Sequence, residues 1–495
     1  MAKVTSRRTI GVVGAGTMGA GIAEVAAAHG NDVLIFDENP LASAACAARV
    51  AENLSNSPDV VRTPRAVNTI EGLGPCSLVI EAIFEDLDVK RGLLRRLEDV
   101  VDAGCVLATN TSSLSPTAIA NALNGPGRFL GLHFFNPVPR MKLVEVIPTV
   151  STDELVVTSM IDLMRTWEKE PIRVAAWSPG FVVNRVARPY YGEAFRLLEE
   201  GAAPANVIDA VMTGSGGFRM GPFALADLIG HDVNQAVTRS VWAAFGFDPR
   251  YGPSLLQQEL VNAGRLGRKS GRGVHDYANG RPPAPQPELF RTVAEVDVVG
   301  GGHDDAGGFG IILQRANIPS PRRDGEVNGV RLIGGTHLVR SRGRTADDES
   351  SRVGVPVVVV DRSLDDSDAT AIAVSASTNC PPEDVDGVVG LLRAAGIDVF
   401  RVTDVAGLVV TRTVAMLINQ AMDAQRLGVA TQGEVDLAMT LGAGYPLGLS
   451  VWCERWGAAD VVEILDNLDS EYRDGRYRAD PLLRRRARIM EQKHP

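Results

Sequence analysis

The sequence lacks what would tie it to a membrane, a nucleic acid or a structural metal. Its five cysteines (Cys46, Cys76, Cys105, Cys380 and Cys453) are scattered, odd in number and never in a C-x-x-C pair. That argues against structural zinc and fits a reducing compartment. No uninterrupted apolar run reaches the ~18 residues a membrane helix needs, and MAKVTSRRTIGVVG enters a strand without a signal-peptide core. A cytoplasmic protein with no membrane partner is expected. Positive charge is also in deficit, with 50 Lys+Arg against 60 Asp+Glu for a net charge of −10. Neutralising phosphates requires a basic face, so a nucleic-acid partner is not expected. Anionic small molecules stay open, because they need only a local pocket of donors. The rest of the composition, 45% apolar and 22% charged, is that of a globular protein. A length of 495 residues exceeds one compact core and implies two to four domains.

The segment from Thr9 to Pro40, TIGVVGAGTMGAGIAEVAAAHGNDVLIFDENP, reads as strand, glycine turn, helix and strand. Gly14, Gly16 and Gly19 satisfy G-x-G-x-x-G, with Thr17 and Met18 inside the motif. The first glycine allows the tight turn, the second lets a pyrophosphate approach the backbone, and the third lets helix pack on strand. The helix N-terminus offers free N–H groups to the phosphates. Asp37 closes the second strand, where a carboxylate can bond the adenosine ribose and would repel a 2′-phosphate, so NAD is expected over NADP. Further strands at CSLVIEAI and CVLATNTSS predict an open, doubly wound α/β sheet (a Rossmann fold). Ligands bind outside the carboxyl ends of such strands, which places Glu81, Glu85, Asn110 and Ser112 near cofactor or substrate. Each of these alone reads equally well as a cap or turn residue.

GLHFFNPVPRMKLVEV, residues 131 to 146, sets a histidine and a glutamate among apolar neighbours. A hairpin centred on Pro139 would put His133 opposite Glu145, with β-carbons about 5 Å apart. Such a pair is either a satisfied core contact or a proton relay. Its place after a dinucleotide fold, with Asn136 three residues on, favours the relay. The glutamate would fix the imidazole tautomer and leave the other ring nitrogen as general base for a hydroxyl that loses its hydride.

Residues 8 to 280 resemble the NAD-dependent L-3-hydroxyacyl-CoA dehydrogenases. The resemblance is carried by GAGTMGAGIA, EAIFEDLDVK, TNTSSLS, GLHFFNPVPRMKLVEV, PGFVVNR and MGPFALADLIG. It implies that His133 is the base and Glu145 its orienting partner, that Ser112 and Asn184 contact the substrate's 3-oxygen, and that Asn136 places dyad and thioester. It also implies NAD contacts from Asp37, Glu85 and Lys90, with Asn110 and Ser112 by the nicotinamide, and an acyl-CoA substrate. The stretch 48 to 72 is shorter than the long charged helical hairpin by which the family helps hold CoA, so no CoA contact is carried over there. His275 stands where the family often has an aromatic, at a position that reads as domain packing.

From about Ser178 the pattern turns helical, and it repeats. PGFVVNRV at 179 to 186 returns as AGLVVTRT at 406 to 413 and, without a gap, Gly201, Asp209 and Gly221 map to Gly428, Asp436 and Gly448. The second copy has Thr411 for Asn184 and no preceding G-x-G-x-x-G or His–Glu hairpin, so a second active site is not expected. Single-copy members of the family dimerise through this domain. The two copies are expected to pair within one chain in imitation of that dimer, with a second copy that simply covers the first copy's apolar face as the alternative, and a homodimer stays open beside either. The expected organisation is an NAD-binding domain over 1–178, an all-α substrate and dimerisation domain over 179–280, a partly irregular linker with two short strands over 281–354, a small α/β segment over 355–404 and a non-catalytic second helical copy over 405–495. The glycine run at 300–302 reads as no phosphate site.

The whole length, second copy included, is similar to the long bacterial members that oxidise 3-hydroxyadipyl-CoA in phenylacetate catabolism, with 3-hydroxybutyryl-CoA as the alternative. A dicarboxylic acyl chain needs a cation, for which Arg140 and Arg188 are candidates by position. Two further readings are an NAD-binding relative without turnover, and a free β-hydroxyacid dehydrogenase. The second would use a lysine in the helical domain rather than a His–Glu hairpin.

Overall fold

The computed structural model describes residues 8–55, 63–176, 178–280, 282–289, 296–299, 308–318, 322–323, 329–332 and 335–493. The chain divides into two compact units, one of residues 1–185 with 427–443, the other of 186–426 with 444–495. The glycine run at 300–302 lies outside the described residues.

The first unit is built on an eight-stranded sheet. Its strands are β1 (Thr9–Val13), β2 (Asp32–Phe36), β3 (Arg65–Ala66), β4 (Leu78–Glu81), β5 (Val106–Thr109), β6 (Phe129–Phe134), β7 (Leu143–Pro148) and β8 (Glu170–Arg173), in the order β3-β2-β1-β4-β5-β6-β7-β8. β1 to β6 run parallel, whereas β7 pairs with β6 antiparallel and with β8 parallel. Both faces are covered, which explains why the strands read as continuous apolar runs. Ile10, Val12, Val33 and Ile35 pack with Ile22 and Val25 of the helix Thr17–Ala28 and Val157 and Met160 of the helix Glu154–Thr166. Val13, Leu34 and Val79 face Leu93, Leu94 and Leu97 of the helix Leu87–Val100. That helix starts where Asp86 accepts the N–H groups of Asp88 and Val89, a cap worth about 1 kcal/mol.

The second unit holds both sets of long helices and a second sheet. Repeated elements return at one constant offset. The helix Ala205–Gly214 corresponds to Gln432–Leu441, which belongs to the first unit, and Pro222–Ile229 corresponds to Leu449–Trp456. The turn that opens each copy repeats as well. Gly180 and Phe181 have φ of 70° and 54°, and Gly407 and Leu408 have φ of 76° and 48°. A left-handed phenylalanine or leucine is uncommon, and the same strain in both copies supports the duplication.

The region expected as a partly irregular linker with two short strands, one of them within Gly329–Leu332, carries more strand than that. It supplies β9 (Val296–Val299), β10 (Arg322–Arg323), β11 (Gly329–Leu332) and β12 (His337–Arg340). These join β13 (Val357–Val360), β14 (Ala371–Ala376) and β15 (Asp398–Arg401) in one seven-stranded sheet ordered β10-β9-β11-β12-β13-β14-β15. The strands are two to four residues long up to β12, too short to show a period among Gly-, Arg- and Asp-rich turns. Within this sheet β12 and β13 are parallel, β13 and β14 antiparallel, and β14 and β15 parallel. That is the pattern of β5 to β8, so the second copy keeps the last four strands of the first sheet.

In the second unit the helices Arg188–Glu199 and Val410–Arg426, one from each copy, pack together through a buried charge cluster. Arg412, fully buried, donates to Glu193 and, through two nitrogens, to Glu200, each at 2.8 Å, with the rings of Tyr472 and Tyr477 beside it. The contacts are reciprocal in type. Tyr251 donates to Gln420 at 2.7 Å, and Tyr477 donates to Glu193 at 2.8 Å. Glu193 and Gln420 occupy equivalent positions of the two copies, as expected of a self-complementary interface.

Candidate active site

The glycine turn forms as the sequence predicts. Gly14 has φ +108°, and a methyl on it would meet the Ala82 carbonyl oxygen at 2.6 Å, so only glycine fits. Gly16 caps the helix Thr17–Ala28 with open space where a side chain would project. Gly16 and Thr17 are exposed, Met18 is half-buried, and Gly19 is buried against Gly14. Asp37 ends β2 and accepts the N–H groups of Ala15 and Asn39, both at 2.9 Å. A cavity of about 690 Å³ opens here, lined by Gly14, Ala15, Asp37, Ala82, Phe84 and Arg96 among others. The open cradle, the exposed helix N-terminus and the half-buried carboxylate fit a dinucleotide with free ribose hydroxyls.

Behind this cavity lies a chain of charges. Glu81, fully buried, accepts from Lys90 at 2.6 Å, Thr109 at 2.7 Å and the Ile83 N–H at 2.8 Å. Lys90, read from the resemblance as a cofactor contact, is 1% exposed, and its ammonium also lies 3.3 Å from Glu85. In this placement it holds Glu85 instead of presenting its charge to solvent. Glu85 accepts from the Ser112 N–H at 2.6 Å, the Ser112 hydroxyl at 3.0 Å and the Thr111 hydroxyl at 2.9 Å. Burial pushes the Glu85 carboxyl up, but Lys90 and these donors outweigh it and hold it below the ordinary glutamate range. Asn110 accepts the Phe134 N–H at 2.8 Å, which ties the end of β5 to the end of β6. Asn184 donates to the Ser112 carbonyl at 3.3 Å. Ser112, Glu85 and Asn184 are therefore one connected group.

The register β6–β7 places His133 directly opposite Glu145, as the hairpin centred on Pro139 requires. His133 Nδ1 and Glu145 Oε2 are 2.7 Å apart, with the residues 5% and 0% exposed. An ionised carboxylate only accepts, so Nδ1 carries the proton and Nε2 keeps its lone pair. The other Glu145 oxygen accepts the N–H groups of Val182 and Val183 at 2.9 and 3.0 Å. The left-handed Gly180–Phe181 turn aims those donors, and the Phe181 ring packs 5.5 Å from the imidazole. Phe135 lies 4.5 Å away on another side. The imidazole is thus fixed in tautomer and orientation.

Asn136 and Arg140 are exposed on the β6–β7 turn. A residue with no signal in the sequence braces that turn. Lys169, 6% exposed, donates to the carbonyls of Val138 at 2.6 Å and Met141 at 2.8 Å. Its partners are backbone atoms, so no side-chain pattern could have announced it. Arg188 is buried in the other unit, donating to Thr238 at 3.0 Å and lying over Tyr191. His275 accepts a structural role there. It bonds Asp209 at 2.8 Å, while its backbone N–H donates to Asp227.

The second sheet shows what has replaced the dyad. Val174 N–H bonds Val146 O, and Val402 N–H bonds Val374 O, which sets the two sheets in register. His133 and Glu145 then correspond to Asp361 and Ala373. Asp361, fully buried, accepts the N–H groups of Val409, Val410 and Thr411 and the Thr411 hydroxyl. It does from the histidine's strand what Glu145 does from the next one, and no imidazole remains. Among the described residues no group of three or more His, Cys, Asp or Glu could hold a metal ion, and no helix is long and apolar enough to cross a membrane.

Comparison with known proteins agrees with this geometry. The NAD-binding domain of 3-hydroxyacyl-CoA dehydrogenases matches residues 9–177, and the C-terminal domain of the same family matches twice, at 180–277 and 407–493. The 3-hydroxybutyryl-CoA dehydrogenase reduced Rossmann-fold domain matches 338–405. The chain is 41% identical to the 3-hydroxyadipyl-CoA dehydrogenase of Escherichia coli, over 97% of each chain. It is 37% identical to the 3-hydroxybutyryl-CoA dehydrogenase of Clostridioides difficile, over 54% of this chain and 99% of the relative. The crystal structure of a 3-hydroxybutyryl-CoA dehydrogenase from Escherichia coli K12 superposes with a TM-score of 0.88 at 38% identity, covering 99% of this chain and 100% of the other. The chain belongs to the NAD-dependent 3-hydroxyacyl-CoA dehydrogenase family, with one NAD-binding domain and a duplicated helical domain.

Proposed function

We propose that the chain oxidises the 3-hydroxyl of an L-3-hydroxyacyl-CoA, with 3-hydroxyadipyl-CoA as its substrate. The observation that carries the reaction is the His133–Glu145 pair, buried, 2.7 Å apart and aimed by two backbone donors. NAD, when bound, supplies the hydride acceptor. Gly14, Gly16, Thr17, Met18, Gly19 and Asp37 would hold its phosphates and adenosine ribose, and Glu85, Asn110 and Ser112 its nicotinamide end. His133 Nε2 takes the hydroxyl proton. Glu145 stabilises the resulting imidazolium through Nδ1, and buried charge is worth most when its partner is already in place. Ser112 and Asn184 hold the 3-oxygen, and Asn136 orients dyad and thioester. Phe135 and Phe181 keep water from the imidazole.

The acyl chain is supported by the relative that matches along nearly the whole length. A 3-hydroxybutyryl-CoA reading is favoured by the superposed crystal structure of that name. Arg140, the exposed cation on the turn that Lys169 braces, would meet the far carboxylate of the adipyl chain. The two helical copies pair within one chain in place of a dimer, and the chain works in the cytoplasm, in phenylacetate catabolism. NADH formation with both thioesters tests the reading. A higher kcat/KM for 3-hydroxyadipyl-CoA is expected, and Arg140→Ala should raise its KM roughly tenfold while leaving that of 3-hydroxybutyryl-CoA unchanged. No turnover of either thioester would sink the proposal.

A further inference from the structure

The second helical copy has lost its own relay, yet part of it sits against the first. Residues 427–443 belong to the compact unit that carries the dyad, apart from the rest of their copy. Ala175 N–H donates to the Val429 carbonyl at 2.9 Å, just beyond the end of β8. Arg173 N–H, in β8, donates to Glu434 Oε1 at 3.2 Å. The other Glu434 oxygen closes a capping box with Thr431, which fixes the start of the helix Gln432–Leu441. At the far end of that helix Gly442 is packed so closely that a methyl would come within 2.5 Å of Leu143 Cδ2 and 2.9 Å of Val183 Cγ2. Leu143 opens the strand that carries Glu145, and the Val183 N–H is one of the two that aim the Glu145 carboxylate. The helix therefore backs both the strand and the turn that determine where Glu145 stands.

The same contacts recur at the second sheet. Thr403 N–H donates to the Ala202 carbonyl at 2.9 Å. The helix Ala205–Gly214 lies on β14 so closely that a methyl on Gly214 would meet Ala371 Cβ at 2.5 Å. There the helix backs the strand that carries Ala373, where the first copy has Glu145.

We infer that the segment 427–443 is a positioning element for the His133–Glu145 relay, supplied within the chain by a copy that has no relay of its own. The inference rests on the relay reading above. On this view the second copy is kept because the first is catalytically incomplete without its helix, and only one of two reciprocal contacts bears on chemistry.

The test compares Gly442→Ala with Gly214→Ala in the full chain, each crowding the C-terminal end of a corresponding helix against the first residue of a corresponding strand. Gly442→Ala should lower kcat roughly ten- to a hundredfold, as expected of a small misplacement of a reacting group. It should leave the thioester KM and the NAD Kd within about twofold and shift the acid limb of the kcat–pH profile, because the imidazolium loses its aligned partner. Gly214→Ala should leave kcat and the profile as in wild type. Should Gly442→Ala fail to fold, Glu434→Ala is the second variant, on a half-buried carboxylate, with Glu434→Gln restoring kcat by keeping an acceptor for Arg173. Equal effects at Gly442 and Gly214, or a loss confined to KM and NAD affinity, would overturn the inference. His133→Ala is measured alongside. If it keeps full activity the relay reading itself fails, whereas an inactive His133→Ala beside an unimpaired Gly442→Ala removes only the role of the helix.

Discussion

At the scale of single residues, the site depends on carboxylates whose every oxygen is spoken for. Glu145 uses one oxygen on His133 and the other on two backbone donors. Glu145→Gln keeps the volume and an acceptor but removes the charge that steadies the imidazolium. It should lower kcat by about 10²–10⁴-fold with NAD affinity unchanged, measured by steady-state kinetics and calorimetry. Retained kcat would show that the glutamate only fills space. The dyad was legible in the sequence because antiparallel register is simple arithmetic about Pro139, and the glycine cradle because its spacing follows from phosphate geometry. Lys169 and Asp361 were not legible. Both act mainly on backbone atoms, Lys169 on the carbonyls of Val138 and Met141 and Asp361 on the N–H groups of Val409 to Thr411 beside the one Thr411 hydroxyl, and backbone partners leave no side-chain signature.

At the scale of elements, the helices Arg188–Glu199 and Val410–Arg426 are joined by buried charge rather than by an apolar seam alone. Removing one member of such a cluster leaves the other charges uncompensated, so Arg412→Ala should cost about 3–5 kcal/mol, read from urea unfolding. A change under about 1 kcal/mol would show that water or neighbouring groups compensate. The cluster also sets a pH dependence. Burial pushes the Glu193 carboxyl up, but Arg196 and Arg412 outweigh it and hold it below the ordinary glutamate range. Its stabilisation is therefore full above about pH 4.3 and is lost as pH falls through the lower folded-state value. Wild type should lose more stability on acidification below that point than Glu193→Gln does, and parallel losses would contradict this. The duplicated helices were legible from a gapless repeat of glycines and aspartates. The second sheet was legible only in part: a short strand at Gly329–Leu332 and a small α/β segment over 355–404 were expected, but not their union in one sheet, since strands as short as His337–Arg340 cannot show a period of two over a useful length. Nor does an amphipathic pattern tell which unit a helix joins, so the placement of Gln432–Leu441 on the catalytic sheet needed the structure.

At the scale of the whole molecule, the chain carries two related copies, of which the first holds the His133–Glu145 pair. Among the described residues the glycine cradle occurs once, and the second sheet carries counterparts of β5 to β8, with Asp361 and Ala373 in the positions of His133 and Glu145. Calorimetric titration should give one NAD per chain, and two would mean that the second sheet still binds dinucleotide. The most direct measurement is NADH formation by His133→Ala beside wild type, with saturating NAD and 3-hydroxyacyl-CoA at alkaline pH. A fall in kcat of about 10²–10⁴-fold with NAD still bound is expected if His133 takes the hydroxyl proton. Activity within tenfold of wild type would mean that the proton leaves by another group and that the buried His–Glu pair is only part of the core.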